Sequence, residues 1–224
     1  MRISDWMEGE GPREKLLDRG VCALSDAELL AVLLRTGWRG CNAIQLARIL
    51  LKKFGGLGGV LGATPHQLMA QKGVGAAKST QLCASLELAR RQALEAISTV
   101  NVLSSPQHTR RFLQHHLGAR QREVFSCLFL DSQHRLIRCD DLFQGTLDGA
   151  AVYPREVVAR ALQYNSAAVI FAHNHPSGVA EPSAADKRIT ERLQAALALL
   201  DIRVLDHIIV GRGHEYSFAE AGLL

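Results

Sequence analysis

Apolar residues recur at helical spacing through the first part of the chain. Ser25-Asp26-Ala27-Glu28 has the form of a capping box, a hydroxyl at the N-cap and an acid three residues on, ahead of the apolar run Leu29 to Leu34. Gly37 and Gly40 break that run. A second helix over 42–54 places Ile44, Ala47, Leu50 and Leu51 on one face and stops at Gly55-Gly56. A third, over 65–71, opens with a proline and ends at Gly73. A fourth, over 76–95, carries Leu82, Leu86 and Leu88 among its apolar positions. The first twenty residues read as an irregular arm leading into a short helix, with Pro12 between turn-forming glycines. Residues 1–100 are thus expected to form a small all-helical domain with glycine-rich joints.

The pattern changes after residue 100. Periodicity fades over 96–105 and the stretch ends in Ser104-Ser105-Pro106, the expected boundary; a helix over 106–117 follows. Val124 to Leu130 is a dense apolar run, Asp131-Ser132-Gln133-His134 reads as a turn, and Leu136 to Phe143 completes a hairpin. Helix 154–164, opened by Pro154, leads into a short buried strand from Ala167 to Ala172. After a loop over 176–182, helix 183–200 turns Ile189, Leu193, Leu197 and Leu200 inward, and strands near 202–210 and 214–218 finish the chain. Hairpins mixed with helix–strand alternation give an α+β class with a mixed sheet over 101–224. There is no solenoid-period repeat and no low-complexity tract.

At 47% hydrophobic and 21% charged, the composition is that of an ordinary globular protein. No apolar run reaches the roughly 18 residues of a membrane span, so no membrane association is expected. Met1-Arg2-Ile3-Ser4-Asp5-Trp6 lacks the apolar core of a signal peptide. The five cysteines, Cys22, Cys41, Cys83, Cys127 and Cys139, are scattered and never spaced as C-x-x-C. That argues against a disulfide framework and a cysteine zinc site, and for a reducing cytoplasm. The net charge of +4 is unevenly spread: residues 1–100 carry 13 Lys+Arg against 9 Asp+Glu, and residues 101–224 carry 13 against 13. Within 30–91, nine basic residues face the single acid Glu87, so a polyanion would dock on the first domain.

The candidate chemistry lies in Ala172-His173-Asn174-His175-Pro176-Ser177-Gly178 and Pro182-Ser183-Ala184-Ala185-Asp186. Residues two apart on a strand share a face, so His173 and His175 project together at the end of an apolar strand. Asp186, in the first turn of the next helix, can return a carboxylate to them. Two imidazoles and one carboxylate leave a coordination position open for water, as in a catalytic zinc site. Such a zinc lowers the pKa of its water and polarises a carbonyl. A two-histidine, one-carboxylate iron site shares this ligand set. Ser183-x-x-Asp186 is also a plain helix cap, and both descriptions can hold together.

His-x-His, seven residues, Ser, two residues, Asp resembles the signature of the JAMM (or MPN) metalloprotease domain at every fixed position. Tyr153-Pro154-Arg155-Glu156, His-Asn-His-Pro-Ser-Gly and Asp206-His207-Ile-Ile-Val-Gly further resemble the bacterial RadC family, over almost the whole chain. The resemblance implies a JAMM/MPN-like (cytidine-deaminase-like) mixed α/β domain over 101–224, one Zn2+ per chain on His173, His175 and Asp186, and an upstream acid/base glutamate. Glu123, just before the first strand, is the best counterpart for that glutamate, and Glu156 is the other candidate. A solvated strand-end charge beside Arg120 and Arg122 accounts equally for Glu123, and a helix dipole for Glu156. The motif serine, Ser183, is implied to help bind the developing oxyanion. Asp206 is a candidate acceptor orienting a ligand histidine, a role that a buried turn acid accounts for equally, whereas His207 reads as structural. No Ser-His-Asp ordering or cysteine nucleophile motif supports covalent catalysis.

In the first domain, Lys72-Gly73-Val74-Gly75 and Lys78 resemble the helix-hairpin-helix of DNA-binding proteins. The glycines allow a tight turn, and helix-start amides with Lys78 can hold a phosphate without reading bases. A simple connector between helices would also use glycine. Gly55-Gly56 and Gly58-Gly59 lack the Gly-Lys-Ser/Thr of a phosphate loop. The expected whole is a zinc-dependent peptidase or isopeptidase, its partners non-specific DNA and an unidentified protein or peptide substrate. Phosphodiester hydrolysis, or a DNA-binding protein with structural zinc, are the alternatives.

Overall fold

The computed structural model describes residues 11–98, 102, 106–145 and 152–224, with the backbone alone at 96–98. The expected arm before residue 11 and most of the 96–105 boundary lie outside the described residues. The chain divides into two compact units, Met1–Leu88 and Ala89–Leu224.

In the first unit, helices α1 (Pro12–Arg19), α2 (Asp26–Leu34), α3 (Ala43–Phe54), α4 (Leu57–Leu61) and α5 (Pro65–Met69) precede α6 (Ala76–Ser98), within which the division falls. Three of these helices begin with reciprocal capping boxes: Ser25 with Glu28, Asn42 with Gln45, and Thr64 with Gln67. Each box satisfies a pair of amides that would otherwise be orphaned at a helix start. Leu30, Leu34, Leu46, Ala47, Leu50, Val60, Leu68 and Leu82 form the core. Helix α4, not expected from a glycine-rich stretch, forms because Val60 has this core to enter. Leu88, expected among the apolar positions of α6, is exposed.

The second unit is a five-stranded mixed sheet in the order β2-β1-β3-β4-β5, built from β1 (Val124–Leu130), β2 (Leu136–Gln144), β3 (Ala168–Asn174), β4 (Arg203–Val210) and β5 (Glu215–Ser217). Strands β3 and β4 run parallel; the other pairs are antiparallel. Every residue of β1 and β3 is buried, which is why both read as largely apolar runs, broken only by Ser126 in β1 and by His173 and Asn174 at the end of β3. One face carries Val124, Leu128, Ile170 and Ala172 with Phe112, Leu113 and Leu117 of α7 (Pro106–Leu117). The other carries Phe125, Phe129, Val169 and Phe171 with α8 (Pro154–Gln163) and α9 (Ala184–Ala198), through Val157, Ala161, Ile189, Leu193 and Leu197. Helix α9 stops at Ala198 and the chain turns through Asp201 at φ 56°, so Leu200, expected on its inner face, is exposed. Among the described residues, no helix is long and apolar enough to cross a membrane.

Candidate metal centre

The end of β3 and the start of α9 meet on the α8/α9 side of the sheet. His173, the penultimate residue of β3, is fully buried, and His175 follows just beyond the strand, its side chain 18% exposed. The His175 amide donates to the Val210 carbonyl at 3.1 Å, tying the histidine loop to the end of β4. Gly178 closes that loop at φ +91°, where a Cβ would come within 2.9 Å of Arg212. At the start of α9, Ser183 accepts from the Asp186 amide at 3.1 Å, and Asp186 Oδ2 accepts from the Ser183 amide at 2.7 Å. The expected cap is therefore formed, and it aims the buried Asp186 at the histidines. His173 Nε2 lies 3.2 Å from Asp186 Oδ1, and His175 Nε2 lies 3.6 Å from Oδ2.

The hydrogen-bond network assigns each ring proton. Thr190 donates its only hydroxyl proton to the Asp186 carbonyl at 2.6 Å, so at 2.6 Å from His207 Nδ1 its oxygen must accept. His207 Nε2 is then the acceptor for His173 Nδ1–H at 2.8 Å, which leaves the lone pair of His173 on Nε2. His175 Nδ1, 2.8 Å from the Val179 carbonyl, must likewise donate, leaving its lone pair on Nε2. Burial holds His207 well below the usual imidazole range, so it stays neutral in this relay.

Two Nε2 lone pairs thus face each other across 3.0 Å. Beside them, the buried Asp186 Oδ1 has no hydrogen-bond partner while His173 is neutral. Burial alone would raise the Asp186 carboxyl; a positive charge on the His173 side, together with the Ser183 hydrogen bonds, outweighs it and holds the group well below the usual carboxylate range. Converging lone pairs and an ionised carboxylate suit a cation. Glu123 joins them: one donor atom from each of Glu123, His173, His175 and Asp186 lies within 4.8 Å of the others. Glu123 is the half-buried residue before β1, and its carbonyl accepts from the Gly145 amide at 3.0 Å.

The other expected residues lie elsewhere or work differently. Glu156 is exposed in the first turn of α8, 3.5 Å from Arg155 and outside this cluster. Asp206 accepts from the His207 amide, the Ala219 amide and the Ser217 hydroxyl, so it fixes the β4 backbone to the C-terminal turn and orients no ligand ring. Asp206 is thus the turn acid that the sequence equally allowed, and His207, read there as structural, orients His173 instead. In the first unit, Lys78 donates to the Gly73 carbonyl at 2.8 Å and the Gly37 carbonyl at 3.2 Å, and Lys72 lies over the Trp38 ring, 5.7 Å from its centroid. Gly73 has φ +84° and packs on Trp38, where a Cβ would come within 2.1 Å of the ring; Gly75 has open space. All five cysteines are free.

Residues 103–223 match the family described as RadC-like JAB domain, and residues 3–80 match the one described as UPF0758 N-terminal. A UPF0758 protein of Nitrosococcus oceani is 59% identical over 224 residues, covering all of both chains. One from Tolumonas auensis is 57% identical over the same span, and one from a Shewanella species is 56% identical over 222 residues, 99% of each chain.

Proposed function

The chain belongs to the RadC-like JAB domain family, and from that premise we propose that it is a zinc-dependent hydrolase of amide bonds, a peptidase or isopeptidase. The observation that carries the reading is the convergence of His173 Nε2, His175 Nε2 and the orphaned Asp186 Oδ1 beside Glu123. His173, His175 and Asp186 would hold one zinc ion per chain. Bound there, zinc supplies Lewis acidity, polarising the scissile carbonyl and acidifying water. Glu123 takes a proton from the attacking water and delivers it to the leaving nitrogen. Ser183, whose oxygen accepts from the Asp186 amide, keeps its hydroxyl proton to donate toward the developing oxyanion. Glu156, exposed and outside the cluster, has no part in this scheme.

The helical unit supplies a weak, sequence-independent DNA contact around Lys72, Gly73, Gly75 and Lys78. The charge excess within 30–91 supports this role. Because Lys78 already donates to two carbonyls, its part is to shape the turn, with Lys72 and the open backbone at Gly75 nearer to a phosphate. Free cysteines throughout suit a reducing cytoplasm.

The test is hydrolysis of fluorogenic peptide and isopeptide substrates by the zinc-loaded full chain, beside Glu123→Gln. The reading predicts a fall of about 10²–10⁴ in rate with zinc retained. Equal rates in the two proteins would refute the role of Glu123, and no turnover of any amide substrate would refute the peptidase reading.

A further inference from the structure

Asn174 stands between the two histidines, and strand alternation sends its side chain to the opposite face of the sheet. It is 2% exposed, and its carboxamide is engaged at both ends. Oδ1 accepts from the Val124 amide at 2.9 Å; Nδ2 donates to the Arg122 carbonyl at 3.1 Å and the Arg120 carbonyl at 3.2 Å. All three partners belong to one short backbone stretch, and they flank Glu123 on both sides.

The position of this contact matters. The ladder between β1 and β3 ends at the pair Phe125–His173, so residues 120–124 lie beyond it. On the β2 side, the Glu123 carbonyl is held by the Gly145 amide. On the β3 side, Asn174 takes over where the ladder stops. The three backbone groups require one acceptor and two donors from a single planar head, which a carboxamide supplies. Aspartate has no donor to offer the two carbonyls, and an aliphatic residue would leave three polar groups without their partner.

We infer that Asn174 is a positioning residue that, from between the two candidate zinc-binding histidines, clamps the backbone around Glu123 and so holds that carboxylate at the cluster. The inference rests on the proposed acid/base role of Glu123. Asn174 touches neither substrate nor the reacting atoms; it acts through the chain it holds. One residue pair thus spans both faces of β3, His173 presenting a lone pair to the cluster and Asn174 fixing the segment that brings the fourth group to it.

The experiment uses the full-length, zinc-loaded chain with Asn174→Ala, alone and combined with Glu123→Gln. Asn174→Ser replaces it if the alanine variant does not fold. Three quantities are read: zinc affinity, amide exchange at Val124, and the rate of peptide hydrolysis. The clamp predicts exchange at Val124 faster by about tenfold or more, zinc affinity within about threefold of wild type, and hydrolysis slowed about tenfold or more. On the Glu123→Gln background, Asn174→Ala should change the remaining rate by less than about twofold, since the two act as one unit. A merely structural role would slow that background by the same factor as the wild type, and this outcome overturns the inference. Unchanged exchange at Val124, or zinc affinity lost along with it, overturns it as well. If no protein in the set cleaves an amide bond, the hydrolase reading falls, while exchange and zinc affinity still decide whether the clamp exists.

Discussion

Replacing His207 by phenylalanine removes two ring nitrogens and little else. The ring packs against Phe218 at 4.8 Å between centroids and edge-on to Phe125 at 5.6 Å, contacts that phenylalanine can keep. What disappears is the acceptor for His173 Nδ1–H, 2.8 Å away in a site from which water is excluded. An unpartnered buried N–H costs about 1–3 kcal/mol. His173 can avoid that cost by moving its proton to Nε2, where the wild-type chain keeps the lone pair facing His175 and Asp186. Zinc binding then suffers, because the ligand must first recover the less stable tautomer. Loss of such an orienting partner weakens metal affinity about 10–100-fold, or about 1.4–2.7 kcal/mol. The assay is competition for zinc against a chromophoric chelator at neutral pH, with thermal unfolding of the metal-free proteins as control. His207→Gln, whose carbonyl can accept from His173 and whose amide can donate to Thr190, should recover part of the loss. A His207→Phe affinity within about twofold of wild type would refute the relay.

Other outcomes follow from the same geometry. Gly73→Ala forces a side chain into a left-handed backbone position and onto the Trp38 ring, and should destabilise the full chain by about 2–4 kcal/mol in urea unfolding; Gly75→Ala, in open space, should change stability by no more than about 0.5 kcal/mol. If backbone approach at Gly75 serves DNA, that second variant should nonetheless bind a DNA duplex more weakly by fluorescence anisotropy at low salt; equal stability losses would refute the packing argument. The Ser25 amide and hydroxyl and the Lys15 ammonium together lower the Glu28 carboxyl to about 2. A depressed carboxyl adds stability that is complete above its unfolded value near 4.5 and is lost as pH falls toward 2. Unfolding measured between those pH values should therefore show a slope in the wild type that Glu28→Gln flattens, and identical slopes would remove Glu28 from the account.

The elements were legible wherever their determinants are local. Ser25 and Glu28 announce a helix start because the two hydrogen bonds of a capping box join residues three apart. Ser183 and Asp186 could be read as a cap and as part of a candidate metal site; the cap is formed, and it turns Asp186 toward the histidines. The pairing of His173 with His175 needed only the two-residue period of a strand. His207 and Asn174 were illegible in their roles because their partners are distant in sequence: His207 meets His173 across 34 residues, and Asn174 meets Val124 across 50. Asp206 had the right chemistry to orient a histidine, but β5 and the C-terminal turn claim its oxygens through Ser217 and Ala219. Helix α4 was hidden by glycines flanking Leu57 and Val60, and only the core that receives Val60 explains it.

The central claim is that His173, His175 and Asp186 bind a catalytic metal, and metal content measured by elemental analysis tests it most directly. Full-length protein prepared without chelator, beside a His173→Ala/His175→Ala variant of unchanged thermal stability, should carry about one zinc per chain where the variant carries essentially none. No metal in the wild type, and none taken up on titration with zinc, would contradict the account, as would equal zinc in both proteins.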